Sequence, residues 1–111
     1  MDNGIIAVTT NDLPGYEVVE VYGEVFGVLT RSRNIVSGLG ASLKSIIGGE
    51  IGAYTKLLSD SRIEATERMK KAAADKGANA ILAMRFDTGD IGGTMNEVAA
   101  YGTAVKVVKK K

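Results

Sequence analysis

The chain has 111 residues, of which 45% are hydrophobic and 24% are charged. This composition is typical of one globular domain spanning residues 1–111. The sequence contains no cysteine and no histidine. It therefore lacks disulfides, thiolate and imidazole metal ligands, and the side chain most often used as a general base. From these residue types we predict no catalytic residue, no metal-ligand set and no cofactor.

The net charge of +1 is unevenly distributed along the chain. Four of the fourteen basic residues fall in the last six positions, and the remainder is net acidic. We expect this Lys-rich end to be solvated beyond an ordered core of about residues 5–108. No basic face for nucleic acid is evident. No apolar run approaches the ~20 residues of a membrane span, and residues 1–4 do not resemble the start of a signal peptide. We therefore expect a cytoplasmic protein with no nucleic-acid or membrane partner.

The first third of the chain predicts two strands. Residues 5–10 form a short β-rich run that ends at the turn residues of 11–15. Residues 16–30 alternate as a long strand, in which Gly23 and Gly27 indicate bends or bulges. The face predicted to lie in the core comprises Val19, Val21, Val25 and Leu29. The opposite, mixed face comprises Tyr16, Glu20, Tyr22, Glu24 and Phe26.

Two helices are predicted next. A short one over residues 34–47 is weakened by its internal glycines. A long one runs from Gly52 to Lys76, with Gly77 as the left-handed residue that follows its last turn. The apolar stripe expected to pack on the sheet comprises Tyr54, Leu58, Ala65, Met69, Ala72 and Ala73.

Residues 79–88 and 94–108 predict a terminal β-hairpin. If its loop closes symmetrically, Arg85 faces Glu97, Asp87 faces Met95, and Ile81 faces Tyr101. The side chains expected beneath the long helix are Leu82, Met84, Phe86, Val98 and Ala100. The element order β-β-α-α-β-β indicates an α+β fold, with four mostly antiparallel strands in one layer and both helices on one face.

The second face of this sheet has no predicted cover. Its expected aromatic and aliphatic residues are Tyr16, Tyr22, Phe26, Ile81, Ala83 and Tyr101. Because a monomer rarely exposes an apolar patch of this size, we predict a homo-oligomer with closed symmetry.

Three groups of polar residues are candidate sites. Glu50, after Gly48 and Gly49, marks either an anion site at a helix N-terminus or a corner between helices. Arg31 and Arg33 could bind a carboxylate or phosphate, or pair with Glu50, Glu64 or another subunit.

The third group is Arg85, Asp87 and Glu97. These residues could pair structurally, fix the subunit register or line a polar pocket that also includes Tyr101. Tyr54 is expected in the core with its hydroxyl at the edge.

A set of ordered motifs in these stretches resembles the YbjQ-like family. The motifs are Arg31-Ser32-Arg33-Asn34, Gly48-Gly49-Glu50 with Tyr54-Thr55 and Arg62, Gly77-Ala78-Asn79-Ala80, Arg85-Phe86-Asp87 and Tyr101-Gly102-Thr103-Ala104-Val105. The resemblance implies a dodecin-like fold, a ring of five subunits and the family label of heavy-metal binding. Soft metals prefer thiolate or imidazole ligands, which this chain lacks.

Three functional hypotheses follow from the sequence. The leading one is a non-enzymatic homo-oligomer, pentameric by resemblance, that holds an unidentified small ligand at subunit boundaries or in a central channel. The alternative is ion binding through rings of carboxylates such as Glu50, Asp87 or Glu97, which suit Mg²⁺ or Ca²⁺. The least favoured is an acid–base enzyme.

Overall fold

The computed structural model describes residues 4–32, 52–91 and 95–111. These residues form one curled, half-barrel sheet and one helix, which confirms the α+β class. The predicted short helix over residues 34–47 lies outside the described residues. The elements are β1 (Ile6–Ala7), β2 (Tyr16–Ser32), α1 (Gly52–Asp75), β3 (Ala80–Ile91) and β4 (Met95–Lys109).

The sheet has the strand order β1-β3-β4-β2. β1 runs parallel to β3, whereas the β3–β4 and β4–β2 pairs are antiparallel. β2 is therefore a 17-residue edge strand.

The helix packs on one face of the sheet through small and flexible side chains. Ala65, Met69 and Ala73 are completely buried along α1. The sheet residues in the same cluster include Val25, Ile81, Met84, Val98, Ala100 and Ala104. The predicted helix bounds are confirmed to within one residue, and Gly77 has the expected positive φ of 91°. Leu58, however, is exposed rather than buried.

Gly27 is the point where α1 comes nearest to β2. A Cβ atom built on Gly27 would overlap the carbonyl oxygen of Ala65 and the amide nitrogen of Met69, and would lie 2.7 Å from Cβ of Arg68. Glycine is required here because helix backbone occupies the space of a side chain. The prediction of a bend or bulge holds instead at Gly23, which has a φ of 96° beside a register shift.

The other face of the sheet has a second apolar cluster, covered by the N-terminal segment. Ala80, Leu82, Val105 and Val107 form this cluster, and the residues that pack over it are Val8, Leu13 and Tyr16. Backbone hydrogen bonds hold the segment in place, from Val8 N to the Ile81 carbonyl at 2.9 Å and from Ala83 N to the Thr10 carbonyl at 2.8 Å. The far face of the sheet, opposite α1, is therefore covered at one end.

The predicted orientations of Val19, Val21 and Tyr22 on β2 are wrong. Val19 and Val21 are 55% and 64% exposed, whereas Val25 and Leu29 are buried as expected. Register shifts between Val18 and Glu20, and between Val21 and Gly23, interrupt the alternation. Tyr22 consequently packs against the cluster beneath the helix instead of lying on the far face.

The predicted hairpin register is also wrong. β3 continues to Ile91, which pairs with Met95, so Arg85 faces Tyr101, Asp87 faces Ala99 and Glu97 faces Gly89. Ile81 faces Ala104 rather than Tyr101.

A register shift lies between Leu82 and Arg85, where Ala83 has a φ of 55°. Because of this shift, Ile81 and Leu82 lie on the opposite faces of the sheet from those predicted. Ile81 is buried beneath α1, and Leu82 belongs to the far cluster.

Candidate functional site

An open cleft lies between α1 and the end of the β3–β4 hairpin. α1 packs mainly on β2 and β4, so the distal part of β3 is left uncovered on the same face. The cleft has a volume of about 540 Å³, and its lining includes Leu58, Ser59, Arg62, Asp90, Asn96 and Val98. A second hollow of about 340 Å³ shares Ser59 and Arg62 and extends to Ile63 and Phe86.

The cleft combines an apolar floor with polar groups of both charges. Leu58 and Val98 provide the apolar surface, and Arg62, Asp90 and Glu97 provide the charges. The Arg62 guanidinium carbon lies 4.9 Å from the centre of the Phe86 ring, a cation–π distance. A cleft with a few polar groups on an apolar base suits a small organic ligand.

Arg31 takes part in a structural network beside this cleft, where it lines a small hollow that shares Leu58, Asn96 and Val98 with the cleft. Its Nε donates a hydrogen bond to Oγ of the buried Ser61 at 2.9 Å, and its guanidinium lies 3.6 Å from the Glu64 carboxylate. Glu64 also pairs with Arg68, which donates to the Val28 carbonyl at 2.7 Å. The structure thus places Arg31 in the pairing with Glu64, one of the alternatives that the sequence left open.

Arg85 holds the N-terminal segment on the sheet. Its guanidinium donates to the carbonyl oxygen of Thr9 at 2.9 Å and to that of Met84 at 2.8 Å. The predicted Arg85–Glu97 cross-strand pair is absent from the register, in which Arg85 faces Tyr101. The guanidinium of Arg85 therefore hydrogen-bonds to backbone carbonyl oxygens within the same chain.

The remaining candidate residues are not all in one place. Asp87 and Tyr101 are exposed, and strand alternation puts them on the far face of the sheet with Glu97. Glu97 also borders the cleft. Arg33 and Glu50 lie outside the described residues, as does the side chain of Tyr54.

Sequence reasoning did not bring together the residues that form the cleft. Leu58 was assigned to the core, and Asp90 was assigned to a loop because β3 was expected to end at Thr88. The alternation of Thr88 and Asp90 with Gly89 and Ile91 was the available signal for a longer strand. The lateral position of α1, which opens the cleft, has no local sequence signal.

Within the described ranges, the chain has no cluster of three Asp or Glu side chains suited to a metal ion. None of the described helical sequence is long and apolar enough to span a membrane.

The fold and cleft define a small α+β protein with one helix, in the part described, packed on a curled four-stranded sheet. A family model described as "Putative heavy-metal-binding" matches residues 5–108. The chain belongs to this family, the YbjQ or UPF0145 family.

The named relatives are similar over nearly their whole lengths. A UPF0145 protein of Lactococcus lactis subsp. cremoris MG1363 is 56% identical over 109 residues, covering 98% of this chain and 99% of the relative. One from Acidothermus cellulolyticus is 55% identical over 103 residues, covering 93% and 95%. These names state no activity.

A solved structure has the same fold. It is the crystal structure of a protein of unknown function from Pediococcus pentosaceus ATCC 25745, assigned to the DUF74 family. The two chains superpose with a TM-score of 0.58 at 17% identity, covering 96% of this chain and 100% of the other.

Proposed function

We propose that the protein is a non-enzymatic, cytoplasmic homo-oligomer that binds a small ligand at its subunit boundaries. The observation that carries this proposal is the uncovered end of the far sheet face. Phe26 and Tyr101 are cross-strand partners there, and they are 59% and 44% exposed. Association with another copy removes this aromatic surface from water, which is favourable by roughly 25 cal/mol per Å².

The same strip of surface extends along the edge strand. Val18 and Val21 are paired with the buried Val107 and Val105, so they share the far face with them. Both are nevertheless largely exposed. The far-face core therefore continues outward into a surface that nothing in the described chain covers. The ring of five subunits implied by the family resemblance is part of this proposal.

The ligand part of the proposal rests on the cleft beside α1. It provides about 540 Å³, with Arg62 and Asp90 over an apolar floor. Native mass spectrometry of protein purified without added ligand is expected to show an oligomer with excess mass, released on denaturation. An oligomer without excess mass, both from cells and after incubation with a cell metabolite extract, would contradict ligand binding.

A second candidate is the binding of a hard cation by carboxylates from several copies. Asp87 and Glu97 lie on the uncovered far face, with Gly89 opposite Glu97 and Ala99 opposite Asp87. In a closed ring, each carboxylate occurs once in every subunit, so one residue type can supply several ligands around the axis. Oxygen ligands suit Mg²⁺ or Ca²⁺. The heavy-metal description of the family does not fit the available donors, because the sequence has no cysteine or histidine.

Calorimetric titration with Mg²⁺, Ca²⁺, Zn²⁺ and Cu²⁺ separates these cases. Cation binding predicts heat with Mg²⁺ or Ca²⁺ that disappears in the Asp87→Asn, Glu97→Gln double variant. No heat with any of the four ions would remove this candidate and leave the oligomeric ligand-binding protein.

A further inference from the structure

The cleft of about 540 Å³ and the hollow of about 340 Å³ join into one trough on the helix side of the sheet. Its helix wall is a stripe of α1 residues at helical spacing, from Thr55 to Glu67. Its sheet wall is the β3 face that carries Phe86, Thr88 and Asp90. Glu67 lies at the Phe86 end and Thr55 at the Asp90 end. The trough therefore follows about 18 Å of α1.

The opposite charges of the trough lie apart along its length. The Arg62 guanidinium lies 4.9 Å from the centre of the Phe86 ring. Asp90 comes four residues later on β3, which is a distance of about 13 Å along the strand. Among the described residues that line the trough, Arg62 is the one cation, whereas Glu67, Asp90 and Glu97 are carboxylates. The carboxylates disfavour a ligand with several negative charges, and the separation favours a ligand with one positive and one negative end.

Uncharged polar side chains lie between the two charged ends. Ser59 is on the helix wall, and Thr88 and Asn96 are on the sheet. Their hydroxyl and amide groups both donate and accept hydrogen bonds. A peptide backbone offers N–H and C=O partners to such groups, whereas a methylene chain offers none. Leu58 and Val98 provide apolar surface for the side chains of a peptide.

We propose that the trough binds an extended peptide of two or three residues with free termini, its ammonium group at Asp90 and its carboxylate at Arg62. An extended chain spans at most about 3.3–3.6 Å per residue, and a hydrogen bond at each end adds about 3 Å. Two residues therefore reach across about 13 Å and three across about 16 Å, whereas a single amino acid is too short for both contacts. This inference rests on the proposed ligand-binding function and names the class of the ligand.

Calorimetric titration of the wild-type protein with alanine peptides tests the length and both end groups. We expect dialanine or trialanine to bind at least about tenfold more tightly than alanine. N-acetylation and C-amidation of the peptide should each weaken binding by about tenfold, because each removes one charge-assisted hydrogen bond. 8-Aminooctanoate has the same end groups on a methylene chain, and we expect it to bind about tenfold more weakly than the peptide.

Two substitutions assign the ends of the peptide to the protein. Arg62→Gln removes the cation and Asp90→Asn removes the carboxylate, and both side chains are exposed, so each variant is expected to fold. Asp60→Asn is the matched control, because Asp60 is an exposed α1 carboxylate outside the trough. Amidation should no longer weaken binding to the Arg62→Gln variant, and acetylation should no longer weaken binding to the Asp90→Asn variant. The Asp60→Asn variant should respond to both modifications as the wild type does.

The outcomes separate the peptide from the ligand-binding function itself. Equal affinity for free and blocked peptides, or for the peptide and 8-aminooctanoate, would overturn the peptide assignment. No heat with the peptides at millimolar concentration would also overturn it, and a gain of mass from the metabolite extract would then leave the ligand-binding function in place. Neither heat nor added mass would overturn both.

Discussion

Replacing Gly27 with alanine is expected to lower the free energy of unfolding by about 3 kcal/mol, the upper part of the range for overpacked cores. The added methyl group would overlap the Ala65 carbonyl and the Met69 amide on α1. These are backbone atoms of a helix, so they cannot move aside by changing a rotamer. Urea denaturation at a fixed protein concentration measures the change.

Gly89→Ala is the matched control for this substitution. Gly89 lies on β3 in the same sheet, and a Cβ atom there would meet nothing within 4 Å. We expect a change within about 0.5 kcal/mol. Equal effects at the two glycines would contradict the close approach of α1 to β2.

Replacing Met69 with alanine is expected to cost about 2–5 kcal/mol of stability. Met69 is completely buried and belongs to the cluster that joins α1 to the sheet. Because the surrounding residues come from both the helix and three strands, they can collapse only partly into the space left by the side chain. The measurement is again urea denaturation, followed by far-ultraviolet circular dichroism.

Met95→Ala provides the comparison with the same residue type. Met95 is 38% exposed at the start of β4. Its truncation creates no enclosed cavity, so we expect a loss of about 1 kcal/mol or less. A loss at Met95 as large as that at Met69 would show that the packing of α1 is not the main source of stability.

Local sequence patterns predicted α1 and the start of β2 well, whereas β1 is only Ile6–Ala7 rather than residues 5–10. The stripe around Ala65 and Met69 identified α1, and Gly77 marked its end with a positive φ. The turn residues before Tyr16 fixed the start of β2. Each of these features depends on residues that are close in sequence.

Register and lateral packing were not predictable in the same way. The shift beside Ala83 exchanges Ile81 and Leu82 between the two faces, and it depends on the N-terminal segment, whose Thr10 carbonyl accepts from Ala83 N. Side-chain alternation within β3 contains no information about this distant partner.

The candidate site depends on the same long-range geometry. Gly27 allows α1 to lie directly against β2. The helix is thereby held over β2 and β4, and the distal part of β3 remains uncovered. Gly27 was visible in the sequence, but a glycine inside a strand indicates a bulge as readily as a close backbone approach. The cleft with Arg62 and Asp90 was therefore missed.

The oligomer prediction was made for a partly wrong set of residues. Ile81 and Tyr22 were placed on the uncovered face, yet both contribute to the packing beneath α1. Phe26 and Tyr101 do lie on the far face and are exposed. These two aromatic residues, together with Val18 and Val21, form the exposed apolar surface that favours association.

The central claim, that the protein assembles with copies of itself, is tested most directly by size-exclusion chromatography with light scattering on the wild-type chain. At micromolar concentration, we expect one species whose mass is a multiple of 11.6 kDa, with five copies as the number implied by the family resemblance. A stable species of 11.6 kDa over the whole concentration range would contradict the account.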